Sequence, residues 1–590
     1  MHPSFLRLSG LIHGLRFDNL RGDLFGGITA AVVALPLALA FGVASGVGPV
    51  AGLYGAICVG LFAALFGGTP AQVSGPTGPM TVVMAAVFTQ YTGLFPEDPA
   101  KGAALAFTVV MLGGGFQILF GYLKLGKYIN LVPAPVISGF MTGVGVIIIL
   151  LQLAPLLGQP GTAGPLEAAR GLSQALSHVA PDAAILGGVT LLLVYLWPKR
   201  LNRILPAPLL ALIAGSLGLY LVTGGNVIAR EIDGKTLYFL GQASILGDIP
   251  GGLPSLQFPH VDIALAADMI KSALMLAVLG SVDSLLTSLV ADNITRSYHA
   301  SDRELIGQGI GNAVSGLFGG LPGAGATMRT VVNVRAGGLT PISGMVHAVA
   351  LLAVVLGAGA LARFVPHAVL AGILVKVGTD IIDWDFLRRM RHVSLAGTAT
   401  MLTVFFLTVF VDLITAVAVG MIMASLVLMK RVTDLQLASI TAITDPHEES
   451  PLTDVERALL AAGGGRILLY HLGGPMSFGA AKDMVRRLAA FDEYDALVLD
   501  LSDVPSIDYT TTRSIEDMIQ RAQGSGRAVF VTGKTAQVMG MLEKHGVLAQ
   551  LPAGHNLPTR LAGLAAAARA LGVTGTDSSS PSAPPGTATS

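Results

Sequence analysis

Asp283 sits inside the apolar run "LMLAVLGSVDSLLTSLV". A carboxylate in a membrane-length segment costs about 2.5–3.5 kcal/mol on insertion scales, and by default it marks an ion path. Thr287 follows at i+4, on the same helical face. A carboxylate, a hydroxyl and nearby backbone carbonyls are the hard oxygen ligands that a cation such as sodium favours. The competing reading is a structural carboxylate neutralised elsewhere. Two further stretches carry chemistry through their backbone: "SGPTGPMT" at 74–81 and "PGAGATMRT" at 322–330, both set in long apolar sequence. Gly and Pro break helices. In a bilayer core a break is tolerated only where it lines a cavity or packs in protein. A helix restarting inside the membrane presents free N–H groups and the positive end of its dipole, which suits a small anion. The blander reading is that Gly and Pro are simply frequent in membrane helices.

Such features need a membrane scaffold, and the composition supplies one. The 590 residues are 52% hydrophobic and 12% charged, against about 25% charged in a soluble domain. The expected fold is an α-helical polytopic membrane protein. Apolar segments lie near 24–44, 50–67, 77–91, 103–123, 133–153, 182–197, 207–223, 264–291, 304–320, 327–336, 341–360, 366–382, 395–411 and 414–429. That is about fourteen, each intact one near the ~20 residues a bilayer needs. Residues 1–23 read as a cytoplasmic leader, with Arg7, His13, Arg16 and Arg21 set against Asp18 and Asp23. Lys124, Lys127, Lys199, Arg200, Arg203, Arg296, Arg303, Arg388, Arg389, Arg391, Lys430 and Arg431 then all fall on the leader's side, which places both termini in the cytoplasm of a plasma (inner) membrane protein. The longest loop on the opposite side, roughly 224–263, reads as polar and Pro/Gly-rich. Lys376 reads as a snorkelling side chain, and Cys58, the only cysteine, as a packing residue that excludes an intramolecular disulfide.

An internal repeat relates the two halves. Residues 132–145, "VPAPVISGFMTGVG", match 365–378, "VPHAVLAGILVKVG", and open spans five and twelve. An offset of seven spans reverses topology, so the halves are inverted repeats. The two breaks precede spans three and ten, also seven apart. Discontinuous helices at corresponding positions of inverted repeats build midplane substrate sites in transporters. The membrane part therefore runs over 24–431. From 436 to 572 the pattern alternates strands (466–472, 496–501, 527–532) with amphipathic helices (479–491, 511–523, 535–545), a small α/β domain. Residues 573–590 are disordered by composition. Net charge is zero, which suggests no nucleic-acid partner. "VTGKT" at 531–535 ends like a phosphate-binding loop, but Ala528 stands where that loop needs Gly, so no nucleotide hydrolysis and no enzyme activity is expected.

Together these residues resemble the sulfate permease (SulP) family of anion transporters, which includes the prestin and pendrin relatives. "GDLFGGITAAVVALPLALAFGVASG" is similar to the family's first span, "SGPTGPMT" to its third and "VPHAVLAGIL" to its twelfth; the C-terminal part resembles a STAS domain. The resemblance covers nearly the whole chain. It implies fourteen spans in a 7+7 inverted repeat with core and gate subdomains, and a homodimer. "GSVDSLLTSLVADNITRSYHASDRELIGQGIGN" and "GLFGGLPGAGATMRTVVN" are most similar to the family's bicarbonate-transporting, sodium-dependent branch. The wider family has Glu where this chain has Asp283, and Ser-rich sequence before the Arg matching Arg329. The resemblance assigns a sodium site to Asp283, Thr287, Gly325, Ala326 and Thr327. It assigns an anion site to Thr77, Gly78, Ala326, Thr327 and Arg329. For Arg329, added positive potential and anchoring of the half-helix are both open. In bacterial regulatory STAS domains a phosphorylatable Ser or Thr follows an Ile-Asp-x turn; "SIDYTTT" puts Thr510 there, with Thr511 where Gly is usual.

The expected function is secondary active import of a small inorganic anion, bicarbonate by sodium symport, with no cofactor beyond the coupling ion and with membrane lipid as surroundings. With the inside 100 mV negative, importing one anion is opposed by about 2.3 kcal/mol, a roughly fifty-fold disadvantage. One co-transported cation removes it. The alternatives are a proton-coupled carrier for sulfate or a dicarboxylate, and an anion-binding motor-like protein without turnover.

Overall fold

The computed structural model describes residues 12–573, apart from 128–131, 163, 199–200, 202–204, 233–234, 248–255, 412 and 446–451. Residues 1–11 of the leader, Lys199, Arg200, Arg203 and the tail from Thr574 lie outside the described residues. The chain divides into two units, Met1–Ala424 and Ser425–Ser590.

Every expected apolar segment is a helix. The first four are α1 (Leu20–Ala44), α2 (Pro49–Phe66), α3 (Gly78–Leu94) and α4 (Pro99–Tyr122). Next come α5 (Ala134–Leu156), an amphipathic α6 (Pro165–Ser177), α7 (Pro181–Leu196) and α8 (Ala207–Thr223). The second half has α9 (Ala266–Thr295), α10 (Ser301–Leu317), α11 (Thr327–Arg335), α12 (Pro341–Ala362), α13 (His367–Ile381), a short α14 (Trp384–Arg389), α15 (Leu395–Phe410) and α16 (Leu413–Ala438). Many begin with Pro in the first turn, where the missing N–H costs nothing. Asp98 and Ser394 cap α4 and α15 by accepting from Lys101 N and Gly397 N. Among the described residues, six helices are long and apolar enough to cross a bilayer unaided. The ones after the Gly/Pro breaks are not: α3 has 17 residues and α11 only 9.

Two corrections concern connections. The loop expected at 224–263 contains a three-stranded antiparallel sheet, β2 (Val227–Ile232), β3 (Lys235–Leu240) and β4 (Ala243–Ile245). Helix α6, absent from the expected spans, meets α7 at a bend of 118°.

The membrane helices segregate into two sets. In one, α10 packs on α4 and α2, α12 on α1 and α2, and α9 on α4; in the other, α13 and α15 pack on α5, and α7 on α13 and α8. Small residues set the closest approach. A Cβ on Gly114 of α4 would lie 2.5 Å from Gly309 O, and one on Gly309 of α10 would lie 2.5 Å from Gly114 O, a backbone-to-backbone contact that any side chain would prevent. Each set draws corresponding helices from both halves of the repeat: spans one to four with eight to eleven, and five to seven with twelve to fourteen.

In the second unit a five-stranded sheet has the order β10-β9-β8-β7-β6: Asn556–Leu557, Ala528–Thr532, Ala496–Asp503, Ile467–Gly473 and Thr441–Ile443. Only β6 is antiparallel to its neighbour. Helices α17 (Asp454–Ala462), α18 (Phe478–Leu488), α19 (Tyr509–Gly524), α20 (Ala536–Lys544) and α21 (Arg560–Ala570) flank it. The strands are buried on both faces, between two apolar clusters, as expected of a parallel sheet covered on both sides.

Candidate functional site

Immediately before α3 and α11 stand two very short strands, β1 (Ser74–Gly75) and β5 (Ala324–Gly325). They pair with each other, antiparallel, Ser74 opposite Gly325 and Gly75 opposite Ala324. The two breaks in the sequence are therefore one structure. Each supplies the backbone partners that the other lacks, which is how irregular chain survives at membrane depth. Ala326 N–H extends the ladder to Val73 O at 2.9 Å. Side chains complete it: Thr330 Oγ1 accepts from Val73 N at 3.1 Å and Ser284 Oγ from Gly325 N at 3.1 Å. Asn312 brackets Gly323, donating to its carbonyl at 2.9 Å and accepting from its N–H at 2.7 Å. Gly75 has φ of +152°, and a Cβ there would come within 2.7 Å of Arg329 Nη1; only glycine meets both conditions.

The N–H groups of the first helical turns have no acceptor in their own helices. The first intrahelical bonds are Thr81 N to Thr77 O at 2.9 Å and Thr330 N to Ala326 O at 2.8 Å. Gly78 and Met80 on α3, and Thr327, Met328 and Arg329 on α11, precede or coincide with those turns and have no acceptor within their helix. Ala326 takes part in both the ladder and the helix. Its N–H is held by Val73 and its carbonyl by Thr330, so both of its backbone polar groups are committed to the ladder and the helix. The N–H groups with no acceptor in the helix begin one residue onward, at Thr327.

Helix α9 passes both half-helices. Asp283 Oδ2 accepts from Thr77 Oγ1 at 2.7 Å. One turn on, Thr287 Oγ1 donates to Gly325 O at 2.9 Å and lies 2.7 Å from Thr327 Oγ1. Thr287 and Gly325 are buried, while Asp283 and Thr327 are partly exposed. The pair read from the sequence thus divides its contacts: Asp283 reaches the first half-helix and Thr287 the second. Asp283, Thr287, Gly325 and Thr327 all offer oxygen, the atom a hard cation takes; hydrogen bonds join Thr287, Gly325 and Thr327 to one another and Asp283 to Thr77. Arg329 is 3% exposed and donates through Nη2 to Pro76 O. It therefore ties the residue that follows β1 to α11. Gly78 lies under the second set of helices: a Cβ there would be 2.6 Å from Ile381 Cδ1 and 2.9 Å from Ile148 Cδ1. Beyond it, a cavity of about 10 Å³ is lined by Phe41, Thr81, Val82, Ile148, Gln152 and Leu374.

Away from this site, Cys58 is buried as expected. Lys376 has a nearer partner than snorkelling requires: it is ion-paired with Asp380 one turn on, over the ring of Tyr195. Thr510 is exposed in the first turn of α19, beside the cap Asp508, while Thr511 is buried. Sequence reasoning missed the supports of the ladder: Ser284, Ser288, Glu304, Gln308, Asn312 and Thr330. A signal was present, since Glu304, Gln308 and Asn312 recur every four residues along one face of a span.

Comparison with known proteins agrees with this architecture. The model of the "Sulfate permease family" matches residues 20–404, and that of the "STAS domain" matches 459–559. A bicarbonate transporter, BicA of a Synechocystis species, is 47% identical over 571 residues, covering 96% of this chain and 97% of its own. The solved transmembrane domain of a cyanobacterial bicarbonate transporter BicA is 49% identical, with a TM-score of 0.62, over 69% of this chain and 99% of that one. Murine Slc26a9, an anion transporter solved in the inward-facing state, shares the fold at 18% identity, with a TM-score of 0.78 over 96% of this chain and 95% of that one.

Proposed function

The chain belongs to the sulfate permease family of membrane transporters, and we propose that it imports bicarbonate by symport with sodium. The observation that carries this reading is the hydrogen bond from Thr77 to Asp283. It joins the start of one half-helix to the helix whose next turn, through Thr287, holds the other. An anion on the free N–H groups of α3 and α11 and a cation on Asp283, Thr287, Gly325 and Thr327 would then share one support. Each ion offsets the other's charge in a low-dielectric setting where that matters most. Bicarbonate as the anion, rather than another oxyanion, is supported by the 47% identical relative. Sodium is supported by the oxygen chemistry of these four residues.

The distribution of basic residues supports a plasma (inner) membrane protein with both termini cytoplasmic, and the family resemblance supports a homodimer. Passage of the anion requires α5 and α13 to part from α3, because Ile148 and Ile381 cover Gly78. The STAS unit, with Thr510 exposed for modification, would act on assembly or regulation rather than on ion binding.

The test is uptake of labelled bicarbonate and of labelled sulfate into proteoliposomes, with and without an imposed sodium gradient. Sodium-driven bicarbonate uptake is expected. Uptake that follows an acid-outside gradient and ignores sodium would instead establish the proton-coupled alternative, with Asp283 as the proton carrier.

A further inference from the structure

Glu304 is a buried carboxylate of the membrane unit, 2% exposed, in the first turn of α10. Every partner it has is a donor. Oε2 accepts from the backbone N–H groups of Gly68 and Thr69, both at 2.9 Å. Oε1 accepts from Gln72 Nε2 at 2.7 Å and from Gln308 Nε2 at 2.8 Å. Two arms lead from these amides to the ion site. Gln72 Oε1 accepts from Ser288 Oγ at 3.0 Å, and Ser288 follows Thr287 directly on α9. Gln308 Nε2 also donates to Ser74 Oγ at 2.5 Å, and Ser74 is paired with Gly325 in the ladder. Asn312, one further turn along the same face, brackets Gly323.

We propose that Glu304 is a positioning residue for ion binding: its carboxylate holds the segment between α2 and α3, and through Gln72 and Gln308 fixes Thr287 and the β1–β5 ladder in register. This rests on the reading of that ladder as the ion site. The specific requirement is a group that accepts on both oxygens. Backbone N–H groups cannot turn around, so Oε2 must remain an acceptor. An amide at 304 then points its NH2 at two amide donors, and relief requires Gln72 and Gln308 both to turn and Ser288 and Ser74 to exchange donor and acceptor roles with them, which disturbs both arms.

The test compares Glu304→Gln, Glu304→Asp and wild type in proteoliposomes, measuring the apparent KM for sodium and for bicarbonate, kcat, and the melting temperature of the purified protein. Glu304→Gln is expected to raise both KM values about tenfold or more, with a smaller change in kcat. Glu304→Asp, which keeps two acceptors one methylene short, should fall between Glu304→Gln and wild type. Adding Gln72→Glu to Glu304→Gln restores an acceptor opposite the new NH2 and should recover part of the loss. Unchanged KM values with a lowered melting temperature would overturn the proposal, as would a Glu304→Gln protein indistinguishable from wild type.

A second readout does not depend on the transported ion. In a Cys58→Ala background, Met328→Cys places a thiol at the exposed start of α11. Its reaction rate with a membrane-impermeant methanethiosulfonate should change at least several-fold when Glu304→Gln is added, or Glu304→Asp if Glu304→Gln does not fold. An unchanged rate refutes the positioning role. Wild-type liposomes that take up no bicarbonate refute the functional reading alone, since the thiol rate still reports the ladder.

Discussion

Thr77→Val keeps the side chain's shape and removes the hydroxyl that Asp283 accepts. A hydrogen bond to a charged group contributes about 1.5–3 kcal/mol, so the variant should lose roughly tenfold or more in apparent affinity for both ions. Expression should stay near wild type, because Thr77 makes no side-chain cap bond to its own helix. Concentration-dependent uptake reads the loss, and wild-type affinity would remove Thr77 from the site. Asp283 and Thr287 were legible in the sequence because a lone carboxylate in an apolar run has few explanations. Ala326 was placed by resemblance alone, and the fate of its N–H depended on the pairing partner Val73, which no local pattern reveals. Glu304 was hidden for another reason: near the start of a span, after "SDR", it reads as an interfacial residue until its buried partners are known.

At the scale of elements, the site exists because two breaks pair. Gly78 is the point where that pair meets the other helix set. Gly78→Val adds branched volume where Ile148 Cδ1 and Ile381 Cδ1 already approach an added Cβ to 2.9 and 2.6 Å. It should hold α5 and α13 away from α3 and cut the rate of turnover at least tenfold while the ladder stays intact. Crosslinking or distance measurements between α3 and α13 would report the separation, and wild-type turnover would contradict it. The fourteen apolar segments and both breaks could be read from hydropathy and from Gly and Pro. The ladder's register could not, since two-residue strands carry no period. Residues 227–245 were read as loop although Asp233-Gly234 between β-prone runs is a hairpin signal; Gly and Pro on either side outweighed it. Helix α6 was missed because its apolar stripe is too narrow to register as a span.

For the molecule as a whole, the two units rest on different physics. The membrane unit is held by close helix contacts, whereas the STAS unit surrounds a buried carboxylate. Asp500 is fully buried and is bonded to His471 at 2.8 Å, Arg560 at 2.6 Å, Ser502 at 2.5 Å and Thr532 at 3.2 Å. Burial alone would raise its pKa, but His471, Ser502 and Arg560 outweigh it and hold the group well below the usual carboxylate range. A depressed pKa stabilises the fold above the unfolded value of about 3.9 and loses that contribution as pH falls through the folded value. Asp500→Asn should therefore cost about 3–5 kcal/mol at pH 7, nearly the same at pH 5, and less below pH 4. Urea unfolding of residues 436–572 measures this; a difference that grows toward acid pH would contradict the assignment. The alternation of strands and helices in this unit could be read directly from the sequence, while the Asp500 cluster, built from three strands and α21, could not. If cation and anion are held by one paired break, their binding is linked. Sodium must tighten bicarbonate binding by the same factor that bicarbonate tightens sodium. Equilibrium binding of radiolabelled sodium to the purified full-length protein, with and without bicarbonate, tests it most directly. The prediction is a several-fold tightening by bicarbonate in wild type, matched by the reciprocal titration, and little sodium binding in Asp283→Asn under either condition. Sodium binding that ignores bicarbonate, or that survives Asp283→Asn, would contradict it.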